Sequence, residues 1–201
     1  MKKLLFALLF SIFLTSTAMA NESFTFRGIE WGLEMLDLIN AVVDQEYENG
    51  LSEDNYDVKY DRFIIYNGEV AGHDCEIDYF LLDDKFADGA YIFREKHSNL
   101  ELYYTDYKDL VAKYKKKYGE PQEDNKKWVG DSIYKNDSDN YGMAVGVGDL
   151  QLYTKWEADD GSIIQFRMVG DNFTIVIRID YLCPGYYDLK AQAKTNDDEG
   201  I

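Results

Sequence analysis

Leu150-Gln151-Leu152-Tyr153-Thr154-Lys155-Trp156-Glu157 alternates apolar and polar side chains along its whole length, and the pattern recurs at Ile163–Val169 and Phe173–Leu182. A period of two puts one set of side chains on a buried face and the other in water. Asp160-Gly161 and Gly170-Asp171-Asn172 fall where the chain must reverse between these runs, and both are turn-forming combinations. Three strands joined by tight turns make an antiparallel meander with one buried and one wet face. The fold class follows from this stretch.

Upstream, Trp128–Tyr134 and Met143–Val147 read as further strands around a polar loop at Asn136–Asn140. Before them, Tyr103, Tyr107, Leu110, Val111, Tyr114 and Tyr118 recur at three- and four-residue intervals, the spacing of one helix face. Gly119 and Pro121 end that helix. Ser98 with Glu101 offers a capping box at its start, and Thr105 is a competing cap. The lysines at 113, 115, 116 and 117 gather where the helix dipole favours cations. Earlier still, Arg62–Tyr66, Asp74–Leu82 and Gly89–Arg94 are strand-like, broken by Asn67-Gly68 and Asp83-Asp84-Lys85. Leu33 to about Glu46 has helical spacing, with Met35, Leu36, Ile39, Val42 and Val43 on one face, and a polar loop follows to Asn55. Phe24–Gly32 reads as a short alternating strand.

The resulting order, β-α-βββ-α-βββββ, predicts an α+β fold with two helices packed on an antiparallel β-meander sheet. It forms a single domain over residues 21–190. The halves 24–96 and 98–183 each place a helix before a meander, as a diverged tandem repeat would. Residues 191–201, ending in Asp197-Asp198-Glu199-Gly200, read as a disordered tail.

Residues 1–20 carry the pattern of a cleavable signal peptide. Lys2 and Lys3 form a positive start, Leu4–Leu14 is apolar except for Ser11, and Ala18-Met19-Ala20 is a small-x-small cleavage motif. The apolar run is shorter than the roughly 20 residues that span a membrane. The expected product is a soluble periplasmic or secreted protein starting at Asn21, with no membrane insertion after cleavage. Cleavage removes two lysines and no acids, taking the net charge from −17 to −19. That acidity argues against nucleic acid and anionic lipid as partners.

Cys75 lies on a strand face with Ile77, Tyr79 and Leu81, and Cys183 continues the face of Ile175, Ile177, Ile179 and Tyr181. Both thiols therefore point to the core. An even cysteine count in an exported chain makes a Cys75–Cys183 disulfide one expectation. It would close a loop of about 110 residues and stabilise by about 4–5 kcal/mol on the chain-entropy model. The other expectation is two separate buried thiols.

No G-x-S-x-G elbow, P-loop or H-E-x-x-H motif is present. Gly146-Val147-Gly148 lacks the third glycine of a dinucleotide loop. His73 shares a face with Cys75, but an apolar face does not favour the thiolate a nucleophile needs. His97 stands alone in a loop, and two histidines exclude a His-rich site. Asp137-Ser138-Asp139-Asn140-Tyr141-Gly142 begins like a calcium loop, yet Tyr141 takes a ligand position and Gly148 stands where the bidentate Glu belongs. Asp83-Asp84 with Asp88, and Asp159-Asp160, read as hairpin turns. No catalytic residue, cofactor or metal is expected. Trp31, Trp128, Trp156, Tyr186 and Tyr187 are candidates for an exposed recognition surface.

Phe26-Arg27-Gly28-Ile29-Glu30-Trp31-Gly32, the helix after it and Lys117-Tyr118-Gly119-Glu120-Pro121 resemble a group of small exported bacterial proteins with an F-x-G-I-x-W-G opening and a K-Y-G-x-P helix end. The likeness covers about a hundred residues, and Leu33-Glu34 departs from the Ser or Thr cap usual after Trp-Gly. It implies location and fold but no reaction. The element order is also similar to helix-plus-meander modules in envelope assembly factors and secreted enzyme inhibitors, a likeness of fold alone. The expected function is a non-enzymatic binding module that presents its outer sheet face or an aromatic loop to a protein, peptide or glycan. An envelope structural or assembly role, or a carboxylate-based hydrolase, is the alternative.

Overall fold

The computed structural model describes residues 23–46, 56–59 and 61–199, with side chains as far as Lys194; the signal-peptide segment lies outside the described residues. In chain order the elements are α1 (Met35–Glu46), β1 (Tyr56–Lys59), β2 (Arg62–Val70), β3 (His73–Leu82), β4 (Lys85–Phe93), α2 (Leu100–Tyr118), β5 (Glu123–Trp128), α3 (Tyr141–Gly146), β6 (Leu150–Glu157), β7 (Ile163–Asp171), β8 (Thr174–Leu182) and α4 (Tyr186–Glu199). The eight strands form one antiparallel sheet in the order β1-β2-β3-β4-β8-β7-β6-β5. Two four-strand meanders thus meet through their last strands, β4 and β8, and each is preceded by a helix. The α+β fold and its helix-then-meander order are those the periodicity predicts.

One face of the sheet is the core. Phe63, Ile77, Tyr79, Ile164, Phe166, Ile177 and Ile179 are buried there. Leu38 and Val42 of α1, and Tyr107, Leu110, Val111 and Tyr114 of α2, join the same cluster. Burying each such aliphatic side chain contributes about 1.5–3 kcal/mol, which is why the apolar stripes dock on this face. The second helix ends at Gly119 as its sequence dictates, with φ at 84°.

Five local outcomes differ from the sequence reading. The opening segment makes a tight turn, not a strand: Arg27 and Gly28 have φ of 54° and 77°, and Phe26 bridges Ile29. The turn drives Phe26 into the core, where its ring packs against Tyr79, Tyr91 and Tyr181.

Met143–Val147 is mostly helical. Asn99, not Ser98 or Thr105, caps α2. Glu101 instead accepts hydrogen bonds from the Gly142 and Met143 N–H groups at 3.0 and 2.9 Å, satisfying two orphan donors at the start of α3. Gly142 permits this, because a Cβ there would lie 2.3 Å from the Leu100 carbonyl oxygen.

The fourth helix takes in most of the segment from Ala191 that reads as a loose tail, where Ala191, Gln192, Ala193 and Lys194 all favour helix. Finally, the Cys75–Cys183 bridge does not form; both cysteines are free and buried. Both lie against β4, but Cys75 pairs with Phe93 while the Cys183 N–H bonds to the Ala87 carbonyl. Six residues of strand separate those positions, roughly 20 Å, far beyond the reach of a disulfide. Burial pushes the Cys75 thiol up to about 12, which disfavours the thiolate a nucleophile needs.

Candidate functional site

The outer sheet face carries a charged lattice that follows from strand register. Across β3, β4, β8 and β7, one row reads Asp78, Ala90, Asp180, Gln165. On one side lies the row Glu76, Ile92, Arg178, Arg167, and on the other Phe80, Asp88, Leu182, Ile163. Ala90 is the smallest side chain at the centre. The Arg178 guanidinium extends from its own row across the central one to the Phe80–Asp88 row, lying 4.9 Å from the Phe80 ring centroid and donating to Asp88 Oδ2 at 3.4 Å.

Three carboxylates are buried in this lattice. Asp78 and Asp180 are fully covered and Asp88 is 7% exposed. Asp180 accepts from Gln165 at 3.1 Å, from Arg167 through Nε and Nη2 at 3.1 and 2.8 Å, and from Arg178 Nε. Such charge-assisted bonds are what a buried carboxylate needs. Asp78 accepts from Arg62 at 3.1 Å. Burial raises its pKa above the ordinary value, with Arg62 and Arg178 opposing. Asp78 Oδ1 and Asp88 Oδ1 are buried with no hydrogen-bond partner.

Helix α4 closes one side. The Tyr186 hydroxyl donates to Asp88 Oδ2 at 3.4 Å, and the Tyr187 hydroxyl to Gln165 Oε1 at 2.9 Å. Between helix and sheet lies a cleft of about 510 Å³, lined among others by Phe80, Asp88, Arg167, Arg178, Tyr187 and Lys190. The side chain of Arg167 is 45% exposed there even as it holds Asp180. Asp88, which reads as part of a hairpin turn in the sequence, is a floor residue of this cleft.

Burial, and then the neighbouring Asp180 charge, push Asp88 up to about 7, with Arg178 and Arg167 pulling the other way. An acid whose folded pKa exceeds its unfolded value stabilises the fold in its protonated form, and that contribution fades as pH rises from about 4 through 7. Asp88→Asn, which carries no charge, should therefore gain stability over the parent between pH 5 and 8, by at most about 4 kcal/mol. Denaturant melts at the two pH values check this. An equal difference at both would show that Asp88 does not titrate in that range.

The aromatic candidates divide. Tyr186 and Tyr187 are at the cleft. Trp31 stacks on Phe86 and donates to the Phe24 carbonyl at 3.0 Å, lining a separate apolar groove of about 340 Å³. Trp128 packs on Tyr141 at the far sheet edge. Trp156 is 1% exposed and belongs to the core; its alternation with Thr154 and Leu152 already placed it on the inner face. The structure does not bring these five together.

Sequence reading missed the acids and arginines of the lattice. Their signal was present, because Arg167, Arg178 and Asp180 sit on wet-face positions of the strands with the clearest alternation. It also missed the two histidines. His73 bonds to Glu95 at 3.0 Å, and His97 to Asp106 at 2.5 Å, in one cluster at the other end of β3.

Fold and site together define an α+β protein with an eight-stranded antiparallel sheet, α1, α2 and α3 on its inner face and a charged cleft under α4 on its outer face. No protein-family model, curated protein or solved structure matches the chain. Among the described residues no helix is long and apolar enough to cross a membrane.

Proposed function

We propose that this chain is an exported, non-enzymatic binding module, periplasmic or secreted, that takes a polar ligand in the cleft beneath α4. The single observation that carries the reading is the cationic rim of that cleft. Arg167, 45% exposed, and Lys190 stand over a floor where Asp180 is paired with arginines and burial pushes Asp88 toward its protonated form. Such a rim favours a ligand rich in acceptors, a carboxylated glycan or a peptide carboxylate, with Phe80 and the tyrosines as apolar walls. The export part rests on the N-terminal pattern and on the resemblance to exported proteins.

The raised pKa of Asp88 is the one observation favouring a carboxylate hydrolase. Against that reading, Asp180, the carboxylate whose charge helps raise it, is occupied by Gln165, Arg167 and Arg178.

Titration with acidic oligosaccharides and carboxylate-terminated peptides, followed by amide NMR, tests the proposal. Shifts should concentrate on residues 163–167, 178–182 and 186–190. Lys190 reaches over the Tyr186 ring at 5.5 Å from its centroid on the cleft side of α4, so Lys190→Gln should preserve the fold while weakening binding about tenfold, as loss of one charged hydrogen bond does. Shifts scattered over the surface, or affinity unchanged in the variant, would remove the cleft as the site.

A further inference from the structure

We infer that His73, Glu95 and Asp106 form a binding site for a zinc-type divalent ion, with His97 beside it on Asp106. Both histidines of the chain are thus brought to one cluster from three places. His73 opens β3, Glu95 and His97 lie in the connection after β4, and Asp106 is in the second turn of α2.

The meeting depends on one irregularity in a hairpin. At Leu81↔Phe86 and Leu82↔Lys85 the β3–β4 register is that of a two-residue turn, and from Phe80↔Asp88 onward it is shifted by one residue. Ala87 is the extra residue of this bulge. Without the shift, Arg94 would stand across from His73. With it, Cys75 pairs with Phe93, and the next position on the same face sets His73 beside Glu95. The Arg94 N–H to Asp74 carbonyl bond of 3.1 Å continues the ladder to that point. Helix α2 covers this face. The His97 N–H donates to the Tyr103 hydroxyl at 3.0 Å, fixing the loop one helical turn from Asp106.

The ligand atoms of His73, Glu95 and Asp106 are placed for one ion, and His97 holds one of them by a hydrogen bond. His73 Nδ1 lies 3.0 Å from Glu95 Oε2, and His97 Nε2 lies 4.0 Å from the same oxygen and 2.5 Å from Asp106 Oδ2. One ligand atom each from His73, Glu95 and Asp106 falls within 4.8 Å of the others. A tetrahedral ion with bonds of 2.0–2.2 Å holds its ligands roughly 3.3 Å apart, a value these separations straddle. One neutral imidazole and two carboxylates offset a double positive charge. Imidazole donors select zinc and its neighbours over calcium or magnesium. The four side chains are 14–31% exposed, so an ion has an entry path. Three protein ligands leave one position open, for water or a further ligand. The ion would tie the β3–β4 hairpin to α2 and so join the two halves of the chain.

The test is calorimetric titration of the chelator-treated full chain with Zn2+ near pH 7.5, where imidazole is a ligand. About one equivalent should bind, and the melting temperature should rise with Zn2+ concentration. Ca2+ and Mg2+ should do neither. His73→Asn should weaken binding by more than tenfold, and His97→Gln, which loses a hydrogen bond to the ligand Asp106, by about tenfold. Long-range proton–nitrogen spectra of the two imidazoles in the unmodified protein give a readout independent of variant folding: Zn2+ should shift His73 Nδ1 well beyond either nitrogen of His97. Absence of saturable binding, unshifted imidazoles, or binding that survives the double variant would each overturn the site. The last outcome would place the ion on the acidic surface. The cleft under α4 shares no residue with this site, so the two readings stand or fall separately.

Discussion

Arg178→Met is expected to destabilise the protein by about 3–5 kcal/mol at pH 8, the cost of stranding buried carboxylates without their cation. Arg178 donates to both Asp180 and Asp88, and these two charges with its own hold it above the ordinary arginine pKa against the effect of burial. Methionine fills much of the same space over Ala90 and Phe80, so packing loss is a minor part. The charge argument makes a second demand. Lowering the pH lets the stranded acids take up protons, so the difference from the parent should shrink by several-fold between pH 8 and pH 4. Chemical denaturation at both pH values measures this. A loss that is the same at both would mean that Arg178 acts through packing. A loss below about 1 kcal/mol would mean that the lattice is solvated and the carboxylates are not truly buried.

Gly89→Ala should cost about 3 kcal/mol, the upper end for an overpacked core, although only one methyl group is added to a central strand. Its Cβ would lie 2.1 Å from two carbons of the Phe26 ring. That ring is fully buried and is held by Tyr79, Tyr91 and Tyr181 on its other sides. It cannot move aside without disturbing both halves of the sheet. Phe26→Leu removes ring atoms at the contact and leaves a partial cavity, costing about 2 kcal/mol on its own. The double variant Phe26→Leu with Gly89→Ala should be less destabilised than the two single losses combined, by 1 kcal/mol or more. Strict additivity would show that the two residues do not meet. The experiment also tests why the opening segment is a turn: Phe26 plugs the sheet at the strand pair where the two meanders join.

Much of the fold is legible from periodicity. Alternation at Leu150–Glu157, Ile163–Val169 and Phe173–Leu182 assigns both faces of β6, β7 and β8, and the Tyr107, Leu110, Tyr114 spacing assigns the buried face of α2. Met143–Val147 was misread because Gly142, Ala144 and Gly146 alternate with larger residues as a strand would. The helix there depends on Glu101, about forty residues away in sequence, and on the close approach of Gly142 to Leu100. Trp156 was offered as a surface residue, although its own alternation put it in the core.

The candidate sites were less legible, for a consistent reason. Periodicity says which face a side chain occupies, and it is silent on how far along the sheet that residue lies. Cys75 and Cys183 both face inward as predicted, yet they sit at opposite ends of β4. Asp88, Arg178 and Asp180 meet because β4 pairs with β8, a contact between halves that no local pattern encodes. His73 faces Glu95 because a single extra residue, Ala87, shifts a hairpin register.

The sequence by itself therefore determined the class of fold, the helix and strand faces and the acidic balance of the surface, because each depends on local spacing and composition. The tertiary structure alone decided which charges are neighbours. Strand order and register are set by the packing of Phe26, Phe63, Phe166 and their partners in one shared core, and the polar residues on both faces are carried to their positions by that packing.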